Sequence, residues 1–150
     1  NGKIDISNPS DRINMLQLSI KDEPRFELDL REVKRGGISY TIDTINEIEQ
    51  EYKDSALFLI MGYDEIKSFE KWKDYQKIYE KSFLIGFWRG SHGIKENEHY
   101  NIDKYCFFML DKNINISSTE IRDKIKNKKS VKFLLHPEVE SYIYEKGLYQ

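Results

Sequence analysis

The stretch ALFLIMGYDEI, Ala56–Ile66, runs from an unbroken apolar segment through a glycine into a polar one. Its apolar part, Ala56–Met61, has the length of a strand rather than of a helix. Two more runs of the same kind follow, SFLIGFW (Ser82–Trp88) and YCFFML (Tyr105–Leu110), each bounded by charged or turn residues. Continuous apolar strands suit a sheet covered on both faces.

Helical patterns lie around these runs. SDRINMLQLSI places Ile13, Leu16 and Ile20 on one stripe behind a cap at Ser10, and TIDTINEIEQEY does the same with Ile42, Ile45 and Ile48. VKFLLHPEVESYIYEKG reads as two helical pieces, broken at Pro137 and ended at Gly147. Strands alternating with helices predict an open, mostly parallel α/β sheet, in which ligands bind beyond the carboxyl ends of the strands. With 150 residues, no composition shift and no repeat, a single domain over 1–150 is expected.

Composition narrows the function. Lys+Arg 24 against Asp+Glu 26 gives a net charge of -2, so no overall field draws the chain to nucleic acid or an acidic membrane. The one cysteine, Cys106, cannot form an internal disulfide, no apolar run approaches the roughly 18 residues of a membrane span, and no signal pattern opens the chain. A cytoplasmic protein is expected, with its oligomeric state left open. The polar loop Arg89–Lys104 carries His92, Glu96, Glu98 and His99, but their spacing matches no usual metal-ligand motif.

The candidate site residues lie at strand ends and helix starts. Gly62 lets a backbone or ligand approach, and Asp64 sits where a carboxylate can accept from a ribose diol or simply cap the next helix. Trp72 either covers core or offers a ring for stacking. Near Gly36 and Gly37, the residues Ser39, Tyr40 and Thr41 precede a helix whose free N–H groups prefer a carboxylate, unless Ser39 or Thr41 caps them. In NISSTEIRDKIKN (Asn115–Asn127), Ser117 and Glu120 form a capping box. That box leaves Ser118, Thr119 and Arg122 over, two hydroxyls and a guanidinium at the positive end of a helix, suited to an anion.

Four stretches in order, FELDLREVKRGGISYTIDTINEI, LFLIMGYDEIKSFEKW, FLIGFWR and INISSTEIRDKIKNKKSVKFLLHPEVESYIYEKGLY, closely resemble the bacterial-type nicotinate-nucleotide adenylyltransferases, and SDRINML fits as well. ISSTEIR is shared with related transferases such as pantetheine-phosphate adenylyltransferase, whereas SYT, GYD, the tryptophan and the LY ending are more specific. The resemblance implies a Rossmann-like nucleotidyltransferase fold. It also implies transfer of AMP from ATP to nicotinate mononucleotide, with Mg²⁺, giving nicotinate adenine dinucleotide and pyrophosphate for NAD biosynthesis. Tyr40 and Thr41 would hold the nicotinate carboxylate, with Trp72 and Lys73 at the pyridine ring. Gly62 and Asp64 would meet adenosine, with Arg89 a further candidate, and Ile116, Ser117, Ser118, Thr119 and Arg122 would lie along the ATP phosphates. Ser118 and Arg122 would serve catalysis directly.

Three departures accompany the resemblance. Lys73 stands where the family often has tyrosine, and FWRGSHG lacks the usual arginine–proline–glycine sequence. The family's opening strand, its His-x-Gly-His motif and the basic segment after it do not occur in these residues. The chain therefore reads as a member lacking roughly its first third, and is expected to be inactive alone. A nucleotide-binding fragment without catalysis, or transfer to another phosphorylated acceptor such as nicotinamide mononucleotide or pantetheine phosphate, are the alternatives.

Overall fold

In a computed structural model, which describes residues 7–88, 107–111 and 116–150, the chain forms seven α-helices and three strands among the described residues. In order these are α1 (Pro9–Ile20), α2 (Arg31–Arg35), α3 (Thr41–Glu51), β1 (Phe58–Gly62), α4 (Tyr63–Ser68), α5 (Tyr75–Lys81), β2 (Phe83–Trp88), β3 (Phe107–Asp111), α6 (Ser118–Lys126) and α7 (Pro137–Glu145), with a 3₁₀ turn at Phe69–Lys71. They divide into two compact units. One takes residues 34–115, the other residues 1–33 with 116–150.

The sheet lies in the first unit. Its three strands are parallel in the order β1-β2-β3, with Phe58 opposite Phe83 and Leu84 opposite Phe107. Parallel pairing of β1 and β2 requires a crossover, which α4, the 3₁₀ turn and α5 supply. Ile42 and Ile45 of α3, Met61 of β1, Ile66, Phe69, Ile78 of α5 and Leu84 of β2 bury together as one core, and Ile48 is half-buried beside its stripe. The periodicity expected for α3 and the parallel sheet are both observed.

Along β1 exposure alternates, with Phe58 and Ile60 out and Met61 in, and Phe83 of β2 is exposed as well. The rings of Phe58 and Phe83 stack at 5.1 Å, covering each other but leaving about half of each to solvent. On β1 and at the start of β2 one face is therefore exposed among the residues whose burial is described. An apolar run alone does not reveal this, because the outward residues of β1 are as apolar as the inward ones.

The second unit is helical. Ile125 of α6, Val131, and Val139 and Ile143 of α7 form its core, with Met15 and Leu18 of α1, Ile121, Leu135 and Leu148 packed against them. The stripe of α1 that meets this core is therefore Met15 and Leu18, whereas Leu16 is exposed and Ile13 and Ile20 are half-buried. Polar contacts fix the same side: the Tyr142 hydroxyl donates to Asp11 at 2.7 Å and accepts from Asn14 at 2.9 Å. Lys21 donates to Glu138, and this bond holds its amine above the ordinary lysine pKa.

The caps differ from expectation in two places. α1 is capped by Asn8, whose side chain accepts from the Asp11 N–H at 2.8 Å, and Ser10 lies inside the first turn. Pro137 does not break a helix but begins one, at the first position of α7 behind the His136 cap, while residues 132–135 are turns. Gly147 ends α7 as expected. Its φ of +62° closes a Schellman motif in which Leu148 N–H reaches Ile143 O at 2.9 Å.

The end of α6 uses the same motif with a lysine in the glycine position. Lys128 has φ +53°, Lys128 N–H bonds Ile125 O at 2.9 Å, and Lys129 N–H bonds Lys124 O at 2.8 Å. A side chain in the left-handed region costs about 1–2 kcal/mol. Lys128→Gly is expected to recover about 1 kcal/mol, read as a rise in Tm of a few degrees; a lower Tm would show that the lysine side chain stabilises the fold.

Candidate functional site

The candidate residues fall into two groups, one in each unit. In the sheet unit, the backbone of Tyr40 caps α3 with φ −111° and ψ 137°, and the Tyr40 side chain makes no cap hydrogen bond. Neither Ser39 nor Thr41 is the cap. Asp43 N–H bonds Tyr40 O at 3.0 Å, while the N–H groups of Thr41 and Ile42 lie at positions that have no intrahelical acceptor. Backbone N–H groups at a helix start suit an anionic group.

Lys73 is drawn to this start. Its Nζ lies 4.3 Å from the centre of the Tyr40 ring and 3.5 Å from Asp43 Oδ2. Tyr40, Thr41, Asp43 and Lys73 therefore share one surface. Asp43 is the residue that sequence reasoning does not single out; its only signal is an acid in the first turn of α3.

Trp72 follows the 3₁₀ turn, and its N–H bonds Phe69 O at 2.9 Å. Its ring sits 5.7 Å from that of Phe69 at an interplanar angle of 59°, and the residue is half-buried. The core-covering reading holds for the contact with Phe69, and the remaining exposed part of the indole is what a ligand ring could use.

Gly62 ends β1 and caps α4 with an ordinary φ of −72°, and a Cβ built there meets nothing within 4 Å. Neither its conformation nor its neighbours demand glycine, and the space beside it is open. Asp64 is not the cap of α4 but falls within its first turn. Arg89, and the loop histidines His92 and His99, lie outside the described residues.

In the helical unit, Ser117 caps α6, its Oγ accepting from the Glu120 N–H at 3.1 Å. Only that half of the capping box forms: the Glu120 carboxylate faces Lys124 at 3.6 Å instead. Ile121 N–H bonds Ser117 O at 3.1 Å, which leaves the N–H groups of Ser118 and Thr119 for another acceptor. The side chains of Ile116, Ser118 and Thr119 are exposed. Arg122 donates to Thr119 Oγ1 at 3.3 Å and is half-buried. It has no acidic partner among the described residues. Hydroxyls, free N–H groups and an unneutralised guanidinium at a helix start are the donor set of a phosphate site.

Comparison with known proteins shows the family. The cytidylyltransferase-like family matches residues 4–124. The nicotinate-nucleotide adenylyltransferase of Bacillus subtilis (strain 168) is 35% identical over 147 residues, covering 97% of this chain and 74% of that protein. The chain belongs to the nicotinate-nucleotide adenylyltransferases. Among solved structures, Plasmodium falciparum nicotinic acid mononucleotide adenylyltransferase complexed with NaAD superposes with a TM-score of 0.75 at 19% identity, over 96% of this chain and 75% of that one. The same enzyme complexed with APC gives a TM-score of 0.74. These likenesses show the Rossmann-like nucleotidyltransferase fold. Among the described residues, no helix is long and apolar enough to cross a membrane.

Proposed function

We propose that this member of the family transfers AMP from ATP to nicotinate mononucleotide, giving nicotinate adenine dinucleotide and pyrophosphate. The observation that carries the reading is the start of α6, where Ser118, Thr119 and an Arg122 with no acidic partner among the described residues surround unused N–H groups. In this reaction a phosphate oxygen of the mononucleotide attacks the α-phosphorus of ATP. The bond from that phosphorus to the bridging oxygen breaks, and pyrophosphate leaves with the bond's electrons. Such transfer asks the protein for positioning and charge neutralisation rather than a nucleophile. Arg122 and the α6 N–H groups would take up charge on the departing phosphates.

The donor set at α6 is hydroxyl and guanidinium rather than carboxylate, which fits a phosphate and not a bare cation. Mg²⁺ would then arrive on ATP, as it commonly does, and lower the charge of the phosphates when bound. The start of α3, with Lys73 beside Tyr40, favours an acceptor carrying a carboxylate over its amide.

Trp72→Ala tests the acceptor. It is expected to weaken mononucleotide binding by roughly 1–3 kcal/mol while leaving ATP nearly unchanged. Calorimetric titration with each ligand checks this, and equal losses for both would assign Trp72 to the core alone. Formation of dinucleotide and pyrophosphate from ATP, Mg²⁺ and nicotinate mononucleotide tests the reaction, and transfer to pantetheine phosphate instead would overturn it.

A further inference from the structure

A basic hollow lies where α6 ends, within the helical unit. Lys126, Lys128, Lys129 and Ser130 line it together with Tyr144 of α7, over the buried Ile125, and its volume of about 570 Å³ suits a small molecule. The segment Lys124–Lys132 holds five lysines in nine residues and no acid, in a chain whose net charge is -2. Lys124 faces Glu120, but Lys126, Lys128 and Lys129 have no acidic partner among the described residues. Glu140 also lines the hollow, beyond ion-pair distance of them.

Two further features favour an anion. The carbonyls that end a helix repel negative charge, yet here those of Asp123, Lys124 and Ile125 are already taken by the N–H groups of Asn127, Lys129 and Lys128. Ser130 Oγ accepts from Lys132 N–H at 3.2 Å, and its own hydroxyl proton remains a donor. Lys128 stands in a backbone conformation that favours glycine, so the lysine carries a conformational cost there.

We propose that this hollow binds a small molecule carrying two or more phosphate groups. The start of α6, with Arg122, is a separate place, since a nine-residue helix spans roughly 13 Å. The inference does not depend on adenylyl transfer.

Adenosine diphosphate serves as the probe, with lysine acetylation read by mass spectrometry. At millimolar concentration it is expected to slow modification of Lys126, Lys128 and Lys129 several-fold, and to leave the exposed Lys53 unchanged. A double variant, Lys128→Glu with Lys129→Glu, should abolish protection of Lys126, whereas Arg122→Ala should retain it. The proposal is overturned if Lys53 is protected equally or the double variant still protects Lys126. It also fails if Arg122→Ala removes the effect, which would place the ligand at the helix start, or if a short RNA protects these lysines where the diphosphate does not.

Discussion

Phe69→Ala is expected to lower stability by about 3–5 kcal/mol, the cost of emptying a buried aromatic site. Phe69 is 1% exposed, and its ring is the one against which Trp72 and Tyr75 pack, at 5.7 and 5.9 Å. For a chain of this size the loss corresponds to a fall in Tm on the order of 10 °C. Because Trp72 leans on the vacated ring, its fluorescence should shift to the red as water reaches the indole. A thermal melt with an unchanged midpoint would mean that the core of the sheet unit is not built around Phe69.

Arg122→Ala separates chemistry from stability. The guanidinium's bond is to Thr119, on the same exposed turn, so the fold should be little affected. Loss of a hydrogen bond to a charged phosphate costs roughly 1.5–3 kcal/mol, which lowers kcat/KM about 10- to 150-fold. Turnover measured beside a melting curve distinguishes the roles. Unchanged kcat/KM would return the start of α6 to a plain capped helix.

The sheet was legible because its strands are short, apolar and sharply bounded; the observed strands differ from the apolar runs only at their ends. Which face of β1 is covered was not legible, since Phe58, Ile60 and Met61 are equally apolar and only tertiary contact separates them. The start of α1 could have been read better. Ser10 and Asn8 are both competent caps, but Pro9 between them is favoured at the first helical position, which makes Asn8 the cap. In VKFLL, five residues are too few to distinguish a helical period from turns, and Phe133 takes a φ of +68° that no apolar pattern announces.

Of the candidate site, the start of α6 was readable because its donors are consecutive in sequence. Its Glu120 was half misread: Glu and Lys four residues apart pair along a helix, and this contact competes with the box. The approach of Lys73 to Tyr40 and Asp43 joins residues about thirty positions apart and becomes visible only in the fold.

Calorimetric titration with nicotinate adenine dinucleotide and with its nicotinamide counterpart tests acid recognition at α3 most directly. The acid dinucleotide is expected to bind on the order of tenfold tighter, the gain for a carboxylate at a well-placed helix start. Equal affinities, or a preference for the amide, would contradict a site built to take nicotinate mononucleotide as the acceptor of AMP.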